Sequence, residues 1–451
     1  MIRNRRSNLI AVGAEALADA LLELASRNDG AAYAVERLLT PPREAIGSFR
    51  SRLESVASLS ERGGFIDWRH SGEYADDLFD LLSDLRAADP DPCTGVESVA
   101  VFFAAFEHII EACDDSSGHV SSVFRFEATD HFVEYAKCVE DNEFVLDTIL
   151  DLCKQDDYGI TGNLVSRTPE YLPEDFLSRV IGRFKEAAKA EGRREDRWSL
   201  LEPLEGLARR LDDADLFAWC RRLGSTRLSA KDQIEIAEVY LEAGDAEQAL
   251  EWLPEDDQVS SFELSRRQHL LMTALEQVGD VAGATEVAWA AFRRSRNDFT
   301  LETLVGFVGE DQRDQVVEEG WRLIQKVPGL LISDIGFLIA TGRGDDAAEH
   351  LIERIALLDT SPTHHLVPVA EGFTESGQPM AATLVYRGLL DILLEKGQPR
   401  SYKRGARHIE SLRRLSATIT DWRGFPNHED YVSGVREKHG RKWSFWKRVD
   451  G

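Results

Sequence analysis

Apolar residues recur at intervals of three and four along almost the whole chain, with charged residues between them. Ile234, Ala237 and Tyr240 form one such stripe, and Glu235 and Glu238 interrupt it. This spacing places the apolar side chains on one face of an α-helix. The alternation of β-branched residues that is typical of strands is rare. The pattern therefore predicts an all-α protein.

Residues 226–400 contain a repeated pair of small residues, in which a glycine is followed five residues later by an alanine. A large residue precedes each glycine by four positions. The glycines are spaced by 35, 63 and 35 residues, and a degenerate unit around Gly309 fills the longer interval. A period of about 34 residues is typical of helix-turn-helix repeats, with the glycine in the turn and the alanine at the helix crossing. The units are Tyr240-Gly244-Ala249, Leu275-Gly279-Ala284, Leu338-Gly342-Ala347 and Phe373-Gly377-Ala382.

This repeat resembles the tetratricopeptide repeat, although it lacks that family's tryptophan early in the first helix. The resemblance implies an α-α superhelix with an extended groove that binds a protein or peptide. We predict an irregular helical domain over residues 1–225, a tetratricopeptide-like superhelix over 226–400 and basic capping helices over 401–451.

The first residues of the chain allow two interpretations. Three arginines precede an apolar stretch over residues 9–18, as in an export signal, but Glu15 and Asp19 interrupt the apolar run. Leucines continue beyond it at helical spacing. We favour a first amphipathic helix, with an export signal as the alternative.

The net charge of the chain is −27 over 451 residues, because 80 acidic residues outnumber 53 basic residues. Such a field repels phosphate and argues against a general nucleic-acid coat protein. The hydrophobic fraction of 43% is too high for global disorder. The five cysteines have no CxxC spacing, so we predict neither disulfides nor a zinc knuckle. Free thiols indicate that the protein resides in a reducing cytoplasm. No window approaches about 18 uncharged apolar residues, so we expect no membrane-spanning helix and no membrane partner.

A short glycine motif within the repeats has a rival interpretation. Gly342-x-Gly344-x-x-Ala347 matches the loop that binds dinucleotides, and it follows the apolar residues 337–340. That loop requires a preceding strand and a second strand further on. Because Gly342 is also in register with the repeats, we favour a turn between helices.

Two regions of the chain resemble an uncharacterised bacterial family of all-helical proteins, a domain of unknown function. The first region runs from Phe65–Trp68 through Ala75–Leu78 and Phe102-Phe103 to Asp114–Gly118. The second runs from Tyr402 and Ala406–His408 through Pro426, His428 and Tyr431 to His439–Lys442 and Phe445-Trp446. The resemblance covers residues 60–451 and implies a relation to the helical repeat region of SWIM zinc-finger proteins. The SWIM cysteine and histidine ligands are absent here, so a zinc role does not carry over.

An acidic cluster in the first region is the candidate metal site. Glu107, Glu111 and Asp114 follow one another at intervals of four and three, and Asp115 is adjacent. Carboxylates on one helix face can bind Mg²⁺ or Ca²⁺, or serve as acid and base. Asp, Ser and Gly are also the preferred residues of turns, so we favour a structural turn, with a metal or substrate site and a partner contact as the alternatives.

The C-terminal tail, residues 401–451, is basic, with twelve basic and six acidic residues. Cations interleaved with aromatic residues can hold phosphates and stack on bases. A terminal helix can instead cap a repeat array and bury its aromatic residues, and an acidic protein partner is a third interpretation. The candidate binding residues are Lys438, His439, Arg441, Lys442, Trp443, Trp446, Lys447 and Arg448.

Three function classes follow from these features. The leading hypothesis is a cytoplasmic scaffold whose repeat groove binds a protein or peptide. The second is a nucleic-acid-linked or defence-associated factor acting through the tail, and the third is a metal-dependent enzyme centred on Asp114 and Asp115. The common catalytic motifs are absent from the sequence, so an enzyme is not favoured and no cofactor is expected. His364-His365, in a predicted loop between repeats, would need further ligands to bind a metal.

Overall fold

The computed structural model describes residues 12–28, 31, 35, 42–58, 64–193, 197–360 and 363–450. Within these residues the regular elements are helices, and one isolated bridge joins Ile66 to Cys113. The prediction of an all-α fold is confirmed. The chain divides into two compact units, unit 1 over Met1–Trp252 and unit 2 over Leu253–Gly451.

Unit 1 is a set of helices of uneven length, with a π-helical segment, Val123–Ala128, between its sixth and seventh α-helices. In the described residues, the helices are α1 Ala14–Ala25, α2 Pro42–Ala57, α3 Ser71–Ala87, α4 Pro92–Ala104, α5 Phe106–Glu111, α6 His119–Ser122, α7 Thr129–Ala136, α8 Asn142–Lys154, α9 Gly162–Ser166, α10 Leu177–Ala190, α11 Trp198–Arg210, α12 Ala214–Gly224, α13 Ala230–Glu242 and α14 Ala246–Trp252.

The first amphipathic helix is present as α1. Leu21, Leu22 and Leu24 on this helix are 39–57% exposed, and none of its residues is buried. Its apolar face is therefore not covered by the described part of the chain.

Among the described residues, the stretch Pro92–Glu111 is long and apolar enough to cross a membrane. It comprises α4 and α5, and 44% of it is buried inside the protein. Val96, Val99 and Phe102 are fully buried. These positions give the stretch the apolar composition of a core helix.

The boundary between the units lies after Trp252 rather than after residue 225, where we predicted it. Arg221 on α12 forms ion pairs with Glu205 on α11 and with Asp232 and Glu235 on α13. Since these pairs tie α13 to the preceding helices, the first predicted repeat pair, α13 and α14, belongs to unit 1. The predicted third segment, from residue 401, forms part of unit 2.

Unit 2 consists of helix pairs joined by short turns. Within each pair the two helices pack on each other, and α19 also packs on α21 and α20 on α22, so neighbouring pairs stack as in helical repeat proteins. The helices among the described residues are α15 Leu264–Gln277, α16 Val281–Arg294, α17 Asp298–Val308, α18 Arg313–Lys326, α19 Ile332–Ala340, α20 Gly344–Glu353, α21 Thr363–Glu375, α22 Pro379–Lys396, α23 Tyr402–Ser416, α24 His428–His439 and α25 Trp443–Asp450.

The glycines of the predicted repeat end the first helix of each pair. All five, including the degenerate unit's Gly309, have φ between 74° and 99°, a left-handed conformation that favours glycine. In four turns the N–H after the glycine donates to the carbonyl of the large residue four positions before it, at 2.8 Å. These donor–acceptor pairs are Asp245–Tyr240, Asp280–Leu275, Arg343–Leu338 and Gln378–Phe373.

The alanines of the repeat lie where the prediction placed them. Ala249, Ala284, Ala347 and Ala382 are all 0% exposed. A side chain without atoms beyond Cβ allows the second helix of each pair to approach its neighbours closely. The predicted burial of these positions is confirmed.

The dinucleotide-binding interpretation of Gly342–Ala347 is wrong. The apolar residues before Gly342 belong to helix α19, which ends at Ala340, so the strand that such a loop requires is replaced by a helix. Gly342 serves as the helix-ending glycine of its repeat.

Candidate functional site

The acidic cluster is a turn that holds two parts of unit 1 together. The carboxylate of Asp115 accepts hydrogen bonds from the N–H groups of Val120 and Ser121, both at 2.9 Å, and from the Ser121 hydroxyl at 2.7 Å. Asp114 accepts from the N–H of Ser116 at 3.1 Å. Asp115 therefore satisfies backbone donors in α6, and Asp114 satisfies one in the turn before it.

The backbone of this turn also pairs with the first stretch of the family resemblance. The N–H of Asp114 donates to the carbonyl of Ile66 at 2.8 Å, and the N–H of Ile66 donates to the carbonyl of Ala112 at 2.8 Å. The Ser71 and Ser117 hydroxyls lie 3.0 Å apart. These contacts join the two motif stretches within unit 1.

The predicted metal ligands do not form a ligand set. Glu107 and Glu111 are exposed, and Glu107 lines a separate cavity with Asp156 and Tyr158. Among the described residues, no three His, Cys, Asp or Glu side chains are arranged to hold a metal ion. The geometry thus gives no support to a metal site at Asp114 and Asp115.

Part of the predicted tail surface is buried in unit 2. Phe445 is 0% exposed and Trp446 is 5% exposed. The Phe445 ring contacts Tyr402 with ring centres 5.7 Å apart, and the Trp446 Nε1–H donates to the carbonyl of His439 at 3.1 Å. Arg436 lies 4.1 Å from the centre of the Trp446 ring. Trp446 is therefore a packing residue of α25.

Two further predicted residues are engaged within the protein. The Lys438 ammonium lies 2.9 Å from the Glu395 carboxylate on α22 and lowers the pKa of that carboxyl group. Burial, with Lys438 and Lys442 nearby, lowers the pKa of His439. These contacts hold α24 and its following turn against α22.

The remaining cations form a smaller surface than the one we predicted. Arg441, Lys447 and Arg448 are exposed, and Trp443 is 72% exposed. None of the three cations forms an ion pair with any residue in the described ranges. We call these four residues the tail surface.

A groove in unit 2, which sequence reasoning did not identify, lies between α15, α16 and α17. It is a cavity of about 310 Å³ with an apolar floor that includes Met272 and Ala288. Its rim is polar, and Arg294 at one end pairs with Asp256 at 2.9 Å. The lining residues other than these are Ser261, Leu264, Ser265, Gln268, Ala291, Ser295, Asn297, Phe299, Thr300 and Thr303.

Three side chains in or beside this groove, hereafter the α15–α17 groove, give it the character of a binding site. Phe299 lines it and is 62% exposed, and Phe262, next to the lining residue Ser261, is 92% exposed. Gln268 is 7% exposed, and its amide forms no hydrogen bond with any residue that the structure describes. The amide can therefore donate to and accept from a bound ligand.

Two overlapping segments, residues 4–212 and 193–448, match the model of DUF6880, a family of unknown function. The chain belongs to this family. The comparison with curated proteins gave no match. A solved structure described as a "Circular tandem repeat protein with novel repeat topology and enhanced subunit contact surfaces" has 16% sequence identity, covers 100% of this chain and 95% of that chain, and has a TM-score of 0.17.

The DUF6880 match confirms the part of the resemblance that concerns an uncharacterised family. The relations to SWIM zinc-finger proteins and to tetratricopeptide repeats stay predictions. The α15–α17 groove of this DUF6880 protein could not be predicted from the sequence, because its side chains come from three helices. The usable signal was Phe299, which follows the helix cap Asn297 and lies off the buried stripe of α17.

Proposed function

We propose that this protein is a helical-repeat scaffold and that the α15–α17 groove binds an extended segment of a protein partner. The observation that carries the proposal is that the groove combines an apolar floor with the amide of Gln268, which bonds to no described residue, and with the exposed aromatic side chain of Phe299. An extended peptide supplies N–H and C=O groups for the amide and apolar side chains for the floor. Exposed aromatic residues commonly dominate the binding energy of such contacts.

The experiment is selection of peptides from a display library on the full-length protein, followed by calorimetric affinity measurement of a selected peptide. We expect Phe299→Ala and Gln268→Ala each to weaken binding about tenfold or more, as is usual for central interface residues. Phe65→Ala is the matched control, because Phe65 is 67% exposed but lies in unit 1. Peptides that bind the Phe299→Ala and Gln268→Ala proteins as tightly as the wild type would contradict the proposal.

A second candidate function rests on the tail surface. Trp443 offers an exposed stacking platform, and the exposed cations Arg441, Lys447 and Arg448 lie within five residues of it in the chain. Aromatic stacking combined with cations is the usual means of binding single-stranded nucleic acid. This surface supports the nucleic-acid-linked alternative, in a form that uses four of the eight predicted residues.

A further inference from the structure

A small pocket in the C-terminal part of unit 2 has a composition unlike that of the α15–α17 groove. Its volume is about 220 Å³, and it lies between α21, α22 and α23. His364, which we predicted in a loop between repeats, lies instead in the first turn of α21 and lines this pocket. The lining residues are Thr363, His364, Val367, Leu389, Ile392, Leu393, Lys396, Gln398, Ser401, Arg404 and His408.

The charge of the pocket is positive and unbalanced. Lys396 and Arg404 line it, and its described lining includes no carboxylate. Both side chains are exposed, and neither forms an ion pair with a described residue. Elsewhere in unit 2, arginines such as Arg313 and Arg343 pair with carboxylates. Two unpaired cations at one pocket therefore stand out in a chain with a net charge of −27.

A buried imidazole adds a second, independent observation. His408 lines the pocket, is 7% exposed and makes no hydrogen bond to any residue in the described ranges. Burial, with help from Arg404 and Arg407, lowers the pKa of His408 to about 4. The ring is thus neutral at pH 7 and carries one N–H donor. Because no described residue bonds to the ring nitrogens, an oxyanion in the pocket can accept a hydrogen bond from this N–H.

We propose that this pocket binds a phosphate monoester. Lys396 and Arg404 would neutralise the dianionic phosphate, and the hydroxyls of Thr363 and Ser401 would donate hydrogen bonds to its oxygens. His408 would donate a further hydrogen bond. Hydrogen bonds between cations and phosphate are among the strongest in proteins, and two cations match the double charge of a monoester better than the single charge of a carboxylate.

The apolar part of the lining selects an ester over inorganic phosphate. Val367, Leu389 and Ile392 form one wall of the pocket. Inorganic phosphate would leave this wall in contact with water, whereas a short apolar group on the ester would cover it. A site built for an organic phosphate should therefore distinguish these two ligands.

The test is isothermal titration calorimetry of the full-length protein with phenyl phosphate and with inorganic phosphate. We expect phenyl phosphate to bind at least tenfold more tightly than inorganic phosphate. Arg404→Ala and Lys396→Ala should each weaken phenyl phosphate binding at least tenfold. Selective labelling of histidine provides a second readout, because the ring resonances of His408 should shift when phenyl phosphate binds.

Lys403→Ala is the matched control, since Lys403 is an exposed cation on the same helix that does not line the pocket. It should leave the affinity within about twofold of the wild type. Absence of binding, equal affinity for the two probes, or an equal loss in Lys403→Ala and Arg404→Ala would each overturn the proposal. Because Lys396 and Arg404 are exposed, unchanged melting temperatures should show that their variants are folded.

Discussion

At the scale of single residues, Arg221 is surrounded by more negative charge than it can balance. Its guanidinium lies 3.1 Å from the carboxylate of Glu205, 3.3 Å from that of Asp232 and 2.9 Å from that of Glu235. Burial raises the pKa of Glu205 to about 7, while Arg221 opposes the shift. Burial has the larger effect, and the neighbouring carboxylates of Glu202 and Glu235 add to the rise in the pKa of Glu205.

This shift predicts a pH-dependent stability of unit 1. In the unfolded chain Glu205 loses its proton near pH 4.5, and in the folded protein near pH 7. Between these values the folded state holds a proton that the unfolded state has released, so the free energy of unfolding falls as pH rises, by about 2–3 kcal/mol. Glu205→Gln should remove most of this decline and stabilise the protein at pH 8. Urea unfolding at pH 5.5 and pH 8 measures it.

Glu97→Gln on α4 provides the control, because Glu97 is exposed. Its pH profile should follow that of the wild type. Burial also raises the pKa of Glu202, so Glu202→Gln should remove a smaller part of the decline in the same direction. A Glu205→Gln protein with the wild-type pH dependence would show that Glu205 is ionised throughout this range.

At the scale of elements, the repeat turns could be predicted from residues close together in the chain. The two candidate sites could not, because they form where helices distant in the chain pack together. Gly279 and Ala284 could be placed from the sequence because a left-handed turn and a close helix crossing each restrict one position. The roles of Gln268 and His408 could not be predicted, because whether their side chains find a hydrogen-bond partner depends on helices that are distant in the chain. Asp115 allowed two interpretations because the same oxygen atoms suit a cap and a metal.

One ion pair links neighbouring repeats and can be tested directly. Arg296, just after α16, donates to both carboxylate oxygens of Asp334 on α19, at 2.8 and 3.2 Å, and the two side chains are 5% and 2% exposed. Asp334→Ala leaves a buried guanidinium without its partner, so we expect a loss of about 3–5 kcal/mol in the free energy of unfolding. Chemical denaturation of unit 2, followed by circular dichroism, measures the loss.

A double variant shows whether the loss of stability comes from the unpaired buried charge or from lost packing. Arg296→Met combined with Asp334→Leu replaces the pair by apolar side chains and should recover most of the stability. Glu302→Ala removes one partner of an exposed pair with Arg313 and should have little effect. A double variant as unstable as Asp334→Ala would show that the site requires the ion pair itself.

At the scale of the whole molecule, charge is distributed unevenly along the chain. Residues 401–451 carry a net charge of +6, against −27 for the whole protein. Part of that positive charge is used internally, as Arg423 pairs with Glu349 and Arg436 with Asp450. The composition of the tail could be seen in the sequence, but which cations remain exposed depends on how α24 and α25 pack. The acidic residues outside the tail repel phosphate, so we expect any affinity for nucleic acid to be low.

The last prediction concerns the salt dependence of nucleic-acid binding by the tail surface. If Arg441, Lys447 and Arg448 contact phosphates, the logarithm of the affinity for single-stranded DNA should fall with the logarithm of salt concentration with a slope of about −2. Their joint replacement by alanine should abolish binding without changing the melting temperature, because all three are exposed. Lys137, Arg193 and Arg227, exposed cations of unit 1, form the charge-matched control triple. Fluorescence anisotropy at several salt concentrations measures the DNA affinity of the two triple variants. Equal losses of affinity in both would mean that net charge, rather than the tail surface, attracts the DNA.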